Sequence, residues 1–348
     1  MASAPPAVLA AYHRRNNIAA FQVTLEGRDL TDKLSPRLIS LSITEKRGEA
    51  ADDLSLVLHD HDGKLAIPKK GALLRVKLGW LQGDDVVVGL VDKGSFKVDE
   101  AEHSGPPDIV TIRARSADLA GDLRIRKDKV HTGTTIGAIV ADVARKHGLK
   151  PSVAPELASI AVAAVGQHAK SDIAFVRDLG RRHDAVATVK AGKLILAPIG
   201  AGRTASGATI AGITLTRRDG DRHRYTRVER DKYDGVSASW HDPDQAKKRT
   251  VKAGADGTGS RRHLKRTYAS EADAKHAADA EWRRIQRGAA EFEYDLALGR
   301  PDLSPERGVT LRGWKPEIDA RKWLIAEVTH DMGGDGGLTT KIKLETAA

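Results

Sequence analysis

The chain has no cysteine, which excludes disulfide staples, thiolate zinc sites and cysteine nucleophiles, so its stability has to come from packing and association. Aromatic residues are scarce, with five Trp, five Tyr and four Phe, and that is poor material for the stacking platforms that hold single-stranded bases. No apolar run approaches the roughly 18 residues of a membrane-spanning helix. The stretch from Ala7 to Ala11 is too short for a signal core and has Arg14 and Arg15 on its wrong side. These absences lead us to expect a protein made in the cytoplasm, without membrane insertion.

At 348 residues, 40% of them hydrophobic, the chain is long enough for two or three cores. Lys and Arg number 57 against 47 Asp and Glu, a net charge of +10 that suits nucleic acid, an anionic surface or plain solubility and by itself selects none of them. The first 16 residues, rich in Ala and Pro, read as a flexible arm.

One pattern occurs twice. Phe96, Val98, Glu100 and His103 lead through the turn Gly105-Pro106-Pro107-Asp108 into Val110, Ile112 and Ala114. Trp323, Ile325, Glu327 and His330 keep the same offsets, cross the glycine turn Gly333 to Gly337, and re-enter the alternation at Thr340, Ile342 and Leu344. Period-two alternation on both sides of a turn cluster marks an antiparallel hairpin with one buried face, and its recurrence points to a repeated β-domain.

The remaining periodicity divides the chain. After the arm, residues 17–120 carry short alternating runs such as Phe21-Val23-Leu25, Leu54-Leu56-Leu58 and Leu74-Val76-Leu78-Trp80, with Val86 to Leu90 read as a further strand, and suggest a small barrel or sandwich. Residues 121–203 switch to helical spacing at Ile136, Ile139, Val140 and Val143, then at Phe175, Val176 and Leu179 behind the cap Ser171, and close with a hairpin turning at Lys190 to Lys193. Gly200 to Gly207 reads as a linker. Residues 204–348 return to strands, including Val236, Ala238 and Trp240, and are interrupted over 247–288 by a basic loop, Lys247 to Arg266, and a helix capped by Ser270 and ended by Gly288. The expected fold class is α+β, mainly β: two similar antiparallel β-barrel domains, an α/β domain between them, and a helical insertion in the second barrel.

Several residues invite a chemical reading and fail it. Asp60, Asp62 and Gly63 resemble the start of a calcium loop, but Gly71 stands where that loop needs a bidentate Glu. Gly257, Thr258, Gly259 and Ser260 have no following Gly-Lys-Ser/Thr and no strand-to-helix frame for a phosphate. His183-Asp184 and His241-Asp242 have no second ligand pair at helical spacing. His103 and His330 are expected to close hairpin strands by bonding to turn backbone rather than to act as a pH switch. Trp80, Trp240, Trp282, Trp314 and Trp323 are expected as core or subunit-contact anchors. No catalytic, metal-binding or cofactor-binding residue is assigned.

The segment order resembles one family. The run Leu78-Gly79-Trp80, the Gly94 to Asp108 hairpin followed by Ile112-Arg113-Ala114-Arg115-Ser116-Ala117-Asp118-Leu119, His147-Gly148-Leu149, Gln167-His168 before Ser171-Asp172 and Phe175, and the closing Trp323 to Glu345 hairpin are similar to the late control protein D family. That family comprises baseplate hubs of contractile phage tails and phage-tail-like bacteriocins, and is similar to the N-terminal hub part of VgrG spikes. The matches are short and dispersed from about Phe21 onward.

The resemblance implies a non-enzymatic homotrimeric ring at the tail tip, whose two barrels per subunit adapt the sixfold tail tube to a threefold spike. It implies tube, spike, tape-measure and baseplate wedge proteins as partners, assembly in the bacterial host cytoplasm, and no specific nucleic-acid binding. A hub fused to its spike would continue well beyond Glu345, so the spike is expected as a separate polypeptide. The basic stretches Arg217 to Lys232 and Lys247 to Arg266 are expected to face outward or toward acidic partners, because a strongly positive channel would hold passing DNA through counterion release. Two other classes compete: a basic nucleic-acid-binding protein, which the charge permits, and a tail-associated cell-wall hydrolase, which needs an acid pair or metal triad that these residues do not supply.

Overall fold

The structure is a computed structural model that describes residues 15–48, 51–116, 121–190, 192–227, 233–255, 259–334 and 337–347. Residues 1–14 of the arm, Ala117 to Ala120, Gly257-Thr258 and parts of the Arg217 to Lys232 and Gly333 to Gly337 segments lie outside the described residues.

Among the described residues, thirteen strands join in one sheet. Its main path runs Gly220–Arg227, Ala290–Leu296, Leu338–Thr346, Lys322–Gly333, Leu38–Lys46, Asp53–His59, Ile109–Ser116, Gly89–Ser104, Leu73–Gln82, Ile18–Leu25 and Arg28–Asp29. Gly308–Arg312 branches from Lys322–Gly333 and carries Ile213–Thr216. Every pairing in this sheet is antiparallel except the last, which is parallel. That pairing departs from the expected all-antiparallel second half. The sheet is continuous because Leu38–Lys46 pairs with Lys322–Gly333, from Glu327 opposite Lys46 to Gly333 opposite Ser40.

Alternation places one face of each strand in a core. The first core gathers Leu41, Ile43, Leu54, Leu56, Val76, Leu78, Phe96 and Val98, and takes Met332 and Leu338 from the end of the chain. The second gathers Phe292, Tyr294, Leu311, Trp323, Ile325, Val328, Ile342 and Leu344. Trp80 links the two halves, its indole Nε1 donating to the Gly299 carbonyl at 2.9 Å.

The two halves repeat one four-stranded unit, register for register. In the first repeat, Val98 opposes Ala114 and Glu100 opposes Arg113, which leaves Asp99 as a bulge. In the second, Ile325 opposes Leu344 and Glu327 opposes Lys343, leaving Ala326 as a bulge. A second bulge recurs as well: the register slips between Leu38 and Ser40 against Asp53–His59, and between Gly220 and Arg222 against Ala290–Leu296. Each extra residue switches the side of the strand that faces the core. Phe96 and Val98 point inward before Asp99, and Ala101 and His103 after it.

Between the repeats, Arg126–Thr135 pairs with Ala161–Ser171, and a three-stranded sheet of Lys150–Val153, Lys193–Pro198 and Ala185–Lys190 packs with helices Ile136–Lys146 and Asp172–Arg182. Thr135 and Ser171 cap these helices by accepting the amides of Ala138 and Ala174.

Three sequence expectations are corrected. Lys247 to Arg266 is not a loop: Gly235–Asp242, Lys247–Gly254 and Arg261–Tyr268 form a separate three-stranded sheet under the helix Glu271–Arg287. Val236 and Ala238 therefore belong to a small core with Ala253, Ala274 and Ala278, not to the large sheet. The strand pattern was hidden because the row facing the helix is only weakly apolar, Val251 and Ala253, while Lys248, Thr250 and Lys252 alternate outward. Val86 to Val88 precede their strand, which begins at Gly89 and runs to Ser104. Gly79 opposes Leu90 there, and a Cβ on Gly79 would meet the Gly89 carbonyl oxygen at 1.8 Å.

Candidate functional site

The face of the large sheet turned away from the cores is polar across eight strands. Strand by strand it presents Arg222 and Arg224; Glu291, Glu293 and Asp295; Lys341 and Lys343; Glu327 and Asp331; Ser42, Thr44 and Lys46; Asp53 and Ser55; Arg113 and Arg115; and Lys97, Asp99, Glu100 and Glu102. Basic and acidic strands alternate, and the ions pair across them. Lys343 holds Glu327 at 3.1 Å, Arg113 holds Glu100 at 3.1 Å, Lys46 holds Asp53 at 2.8 Å, and Arg115 reaches Asp99 at 3.4 Å. Where the repeats meet, hydroxyls take over: Ser42 donates to Asp331 at 2.6 Å, and the Thr44 and Thr329 hydroxyls lie 3.1 Å apart. Exposed pairs of this kind contribute about 0–1 kcal/mol each. Their effect is to balance charge on a face that belongs to a basic chain.

Beneath this face, the junction between repeats encloses ions. Glu45 (4% exposed) accepts from Lys93 Nζ at 2.6 Å, and its carboxylate lies 3.5 Å from His330 Nε2 and 3.4 Å from Lys190 Nζ. Burial pulls the Glu45 carboxyl upward, but His330, Lys93 and Lys190 outweigh it and hold the pKa at about 2. Burial lowers both His330 and Lys93. Lys190 comes from the middle hairpin, so one carboxylate ties together three parts of the chain. A second knot lies nearby. Arg47 bridges Glu306 and Glu345, while Arg287, at the end of the long helix, holds Glu345 at 3.2 Å and Asp184 at 2.7 Å.

A cleft of about 440 Å³ opens beside these knots, lined by Glu45, Arg47, Asp52, Lys190, Arg203 and Glu306 among others. Its carboxylates are already engaged: Glu45 with Lys93, Glu306 with Arg47, and Asp52 with the Lys46 amide at 3.1 Å and Lys190 at 3.7 Å. Burial pushes the Asp52 and Glu306 carboxyls up, but Lys190 and Arg47 hold them, and Glu45 is held by Lys93, so no carboxylate of the cleft stands free as the second group that acid–base hydrolysis requires beside open space.

The residues weighed in the sequence fall in separate places. Asp62 receives the Arg37 guanidinium at 2.6 Å, and Asp60 accepts the Leu65 amide at 3.0 Å. Asp184 binds Arg287, and Asp242 binds Arg249 at 2.9 Å. Burial, followed by the neighbouring His276, lowers His183 to about 4. The expected likeness of His103 and His330 fails at the level of contacts. His330 is fully buried and bonds to the Thr340 hydroxyl at 2.9 Å rather than to turn backbone, whereas His103 is 41% exposed and lies 3.5 Å from Asp60. Trp80 and Trp323 are core residues, and Trp240, Trp282 and Trp314 are partly buried against their clusters. Sequence reading missed the Glu45 cluster. Its one visible signal was a Glu at an inward position of an alternating strand.

Comparison with known proteins gives one consistent result. A family model described as phage tail baseplate hub (GPD) matches residues 52–336. A probable baseplate hub protein of Escherichia phage 186 is 40% identical over 365 residues, covering 94% of this chain and 92% of the relative. Its counterpart from Escherichia phage P2 is 38% identical over 363 residues, covering 93% and 92%. Among solved structures, the 43 kDa tail protein of prophage MuSo2 from Shewanella oneidensis matches with a TM-score of 0.69 at 15% identity, covering 94% of this chain and 98% of that one. The tail protein of Neisseria meningitidis MC58 matches at 0.70 and 13% identity, covering 94% and 96%. The E. coli c3393 protein, a component of the type VI secretion system, matches at 0.55 and 14% identity, covering 94% and 77%. At these identities the solved structures speak for the fold.

Proposed function

This chain belongs to the phage tail baseplate hub family, with a structural and not an enzymatic role in the virion tail, and from that premise we propose that it forms a homotrimeric ring adapting a sixfold tube to a threefold spike. The observation that carries this reading is the four-stranded unit written twice with both bulges in place. Three subunits then present six similar units, so a threefold ring meets sixfold neighbours through nearly equivalent contacts.

In this reading residues 17–120 and 204–348 build the ring, with 121–203 and 247–288 outside it. The charge-striped face lines the channel. Cations there are matched by carboxylates on the next strand, so DNA passes without the counterion release that would hold it. Arg222 and Arg224, expected to face outward, stand on this face, opposite Asp295 and Glu293. Lys247 to Arg266 lies on the separate small sheet and serves acidic partners such as the wedge. Tube and tape-measure proteins lie above the ring, a spike lies below, and assembly takes place in the host cytoplasm.

Native mass spectrometry of the purified chain, alone and with its cognate tube and spike proteins, tests the proposal. A trimer that binds both is expected; a chain that remains monomeric at every concentration and beside both partners overturns it.

A further inference from the structure

The small sheet of Lys247–Gly254, Gly235–Asp242 and Arg261–Tyr268 has the long helix over one face only. Val236, Ala238, Val251 and Ala253 alternate toward that helix, so the positions between them point the other way. Register arranges this second face in rows. Lys252, Ser237 and His263 stand side by side, the hydroxyls of Thr250, Ser239 and Thr267 form the next row, and Lys248 stands beside His241 beyond it. Lys265 rises from the bulge between His263 and Thr267. The serines of the central strand are tucked down, with the Ser237 hydroxyl 3.1 Å from His263 Nδ1 and Ser239 only 2% exposed, while the lysines and histidines of these rows are exposed. The result is a shallow trough, floored by hydroxyls and rimmed by lysines.

No carboxylate stands in these rows. On the large sheet basic and acidic strands alternate and their ions pair. Here Arg249 and Arg262, on the helix side, bond Asp242 at 2.9 Å and Glu281 at 3.2 Å, whereas among the described residues no ion pair engages Lys248, Lys252 or Lys265. Lysines on outer strands blunt edge-to-edge pairing, but that purpose does not require every counter-charge to be absent. The rows are also ill suited to nucleic-acid bases. They carry no aromatic ring, and the guanidinium at their end, Arg261, is folded across Gly235 onto the Ala253 carbonyl at 3.2 Å. What remains is a set of compact ammonium charges whose partners have to come from another molecule.

We infer that this face docks an extended acidic segment of a partner protein, laid along the strands with its carboxylates on Lys248, Lys252 and Lys265. The two lysines of the outer strand are four residues apart, about 13 Å at about 3.3 Å per residue. An extended segment presents every second side chain to one side, so acidic residues at i and i+4 reach Lys248 and Lys252 while a small polar residue at i+2 lies over the hydroxyl row. Lys265, on the far strand, takes a further carboxylate. The inference deepens the role proposed above for the small sheet, rests on that reading for the source of the partner, and gives the partner a sequence pattern.

Fluorescence anisotropy of the full chain with a labelled peptide, Glu-Thr-Ser-Thr-Glu written twice, tests this at about 50 mM salt, where screening is weak. The same peptide with Lys in place of Glu is the control. The wild type is expected to bind the acidic peptide and not the basic one. Lys248→Ser/Lys252→Ser/Lys265→Ser is expected to weaken binding by about tenfold or more, while removing three exposed lysines elsewhere, Lys33→Ser/Lys64→Ser/Lys150→Ser, leaves it within about twofold. Lys248→Glu/Lys252→Glu/Lys265→Glu is expected to exchange the preference, which a misfolded variant would not do. Failure of the wild type to bind the acidic peptide, equal loss in the two serine variants, or random duplex DNA binding this face more tightly than the peptide overturns the inference. Native mass spectrometry keeps it apart from the ring: the serine variant at the face is expected to form the same trimer as the wild type, and loss of the trimer there overturns the docking role. A chain that binds the peptide through these lysines and never forms a trimer supports the docking face and overturns the ring.

Discussion

Glu100 and Glu327 occupy one position in two copies of a hairpin. Each follows a bulge residue, Asp99 or Ala326, and each holds a cation on the neighbouring strand at 3.1 Å, Arg113 in one case and Lys343 in the other. Surface pairs this exposed contribute too little to fix a register. The strand geometry places them, and the bulge is the element that matters.

Deleting Ala326 or Asp99 is therefore expected to do far more damage than removing either glutamate. A one-residue slip turns His330, Val328 and Met332, or Ala101 and His103, to the opposite face. The expected outcome is insoluble protein, or loss of the cooperative urea transition, for each deletion. Glu327→Ala is expected to shift stability by less than about 1 kcal/mol. A soluble, cooperatively folding Ala326 deletion would show that the sheet tolerates either register.

The Glu45 cluster predicts a non-additive mutant cycle. Lys93→Met removes the cation nearest a carboxylate that is 4% exposed, and breaking a buried pair in this way costs about 3–5 kcal/mol. Replacing both partners, Glu45→Leu with Lys93→Met, is expected to recover much of that loss, because no uncompensated charge stays buried. Denaturant titration of the two single variants and the double variant measures the coupling, and simple additivity would show that the ions do not interact.

Acid is expected to loosen the contact between the middle region and the long helix. Burial and the neighbouring His276 put His183 at about 4, below its ordinary 6.5. Unfolding frees the ring to take a proton, so this residue leaves stability constant above pH 6.5 and lowers it as the pH falls from 6.5 toward 4. Thermal melts of wild type and His183→Gln across that window are expected to converge at low pH, with the variant showing the flatter profile. Parallel profiles would assign the acid sensitivity elsewhere, His330 being the next buried imidazole.

The balanced sheet face predicts weak contact with DNA. At about 150 mM salt the wild-type chain is expected to hold random duplex poorly, and Glu291→Lys with Glu293→Lys and Asp295→Lys is expected to create binding whose logarithm falls linearly with log salt. Filter binding over a salt series checks both. Tight, steeply salt-dependent binding by the wild type would favour the nucleic-acid reading over the hub.

How much could be read in advance is clear from particular residues. The hairpin offsets Phe96-Val98-Glu100-His103 and Trp323-Ile325-Glu327-His330 were visible because a bulge at a common place preserves spacing in both copies. The equivalence of Leu41 and Ile43 with His223 and Tyr225 was not visible, because an aliphatic pair and an aromatic pair share no sequence signal, and only the ladder registers align them. Glu45 looked like an ordinary alternating-strand residue until Lys93, Lys190 and His330 arrived from distant parts of the chain.

The sequence by itself determined the local choices. Alternation and turn residues made strands and hairpins, Ser171 and Ser270 capped helices, and the missing cysteines and scarce aromatics removed whole classes of chemistry. Tertiary structure decided what those strands became, since pairing partners, enclosed ions and the side of the sheet on which charges balance depend on residues hundreds of positions apart. Side-chain periodicity is written every two residues along the chain, whereas hydrogen bonds between strand edges carry no residue code, so only the folded sheet reveals which edges are filled and which are open.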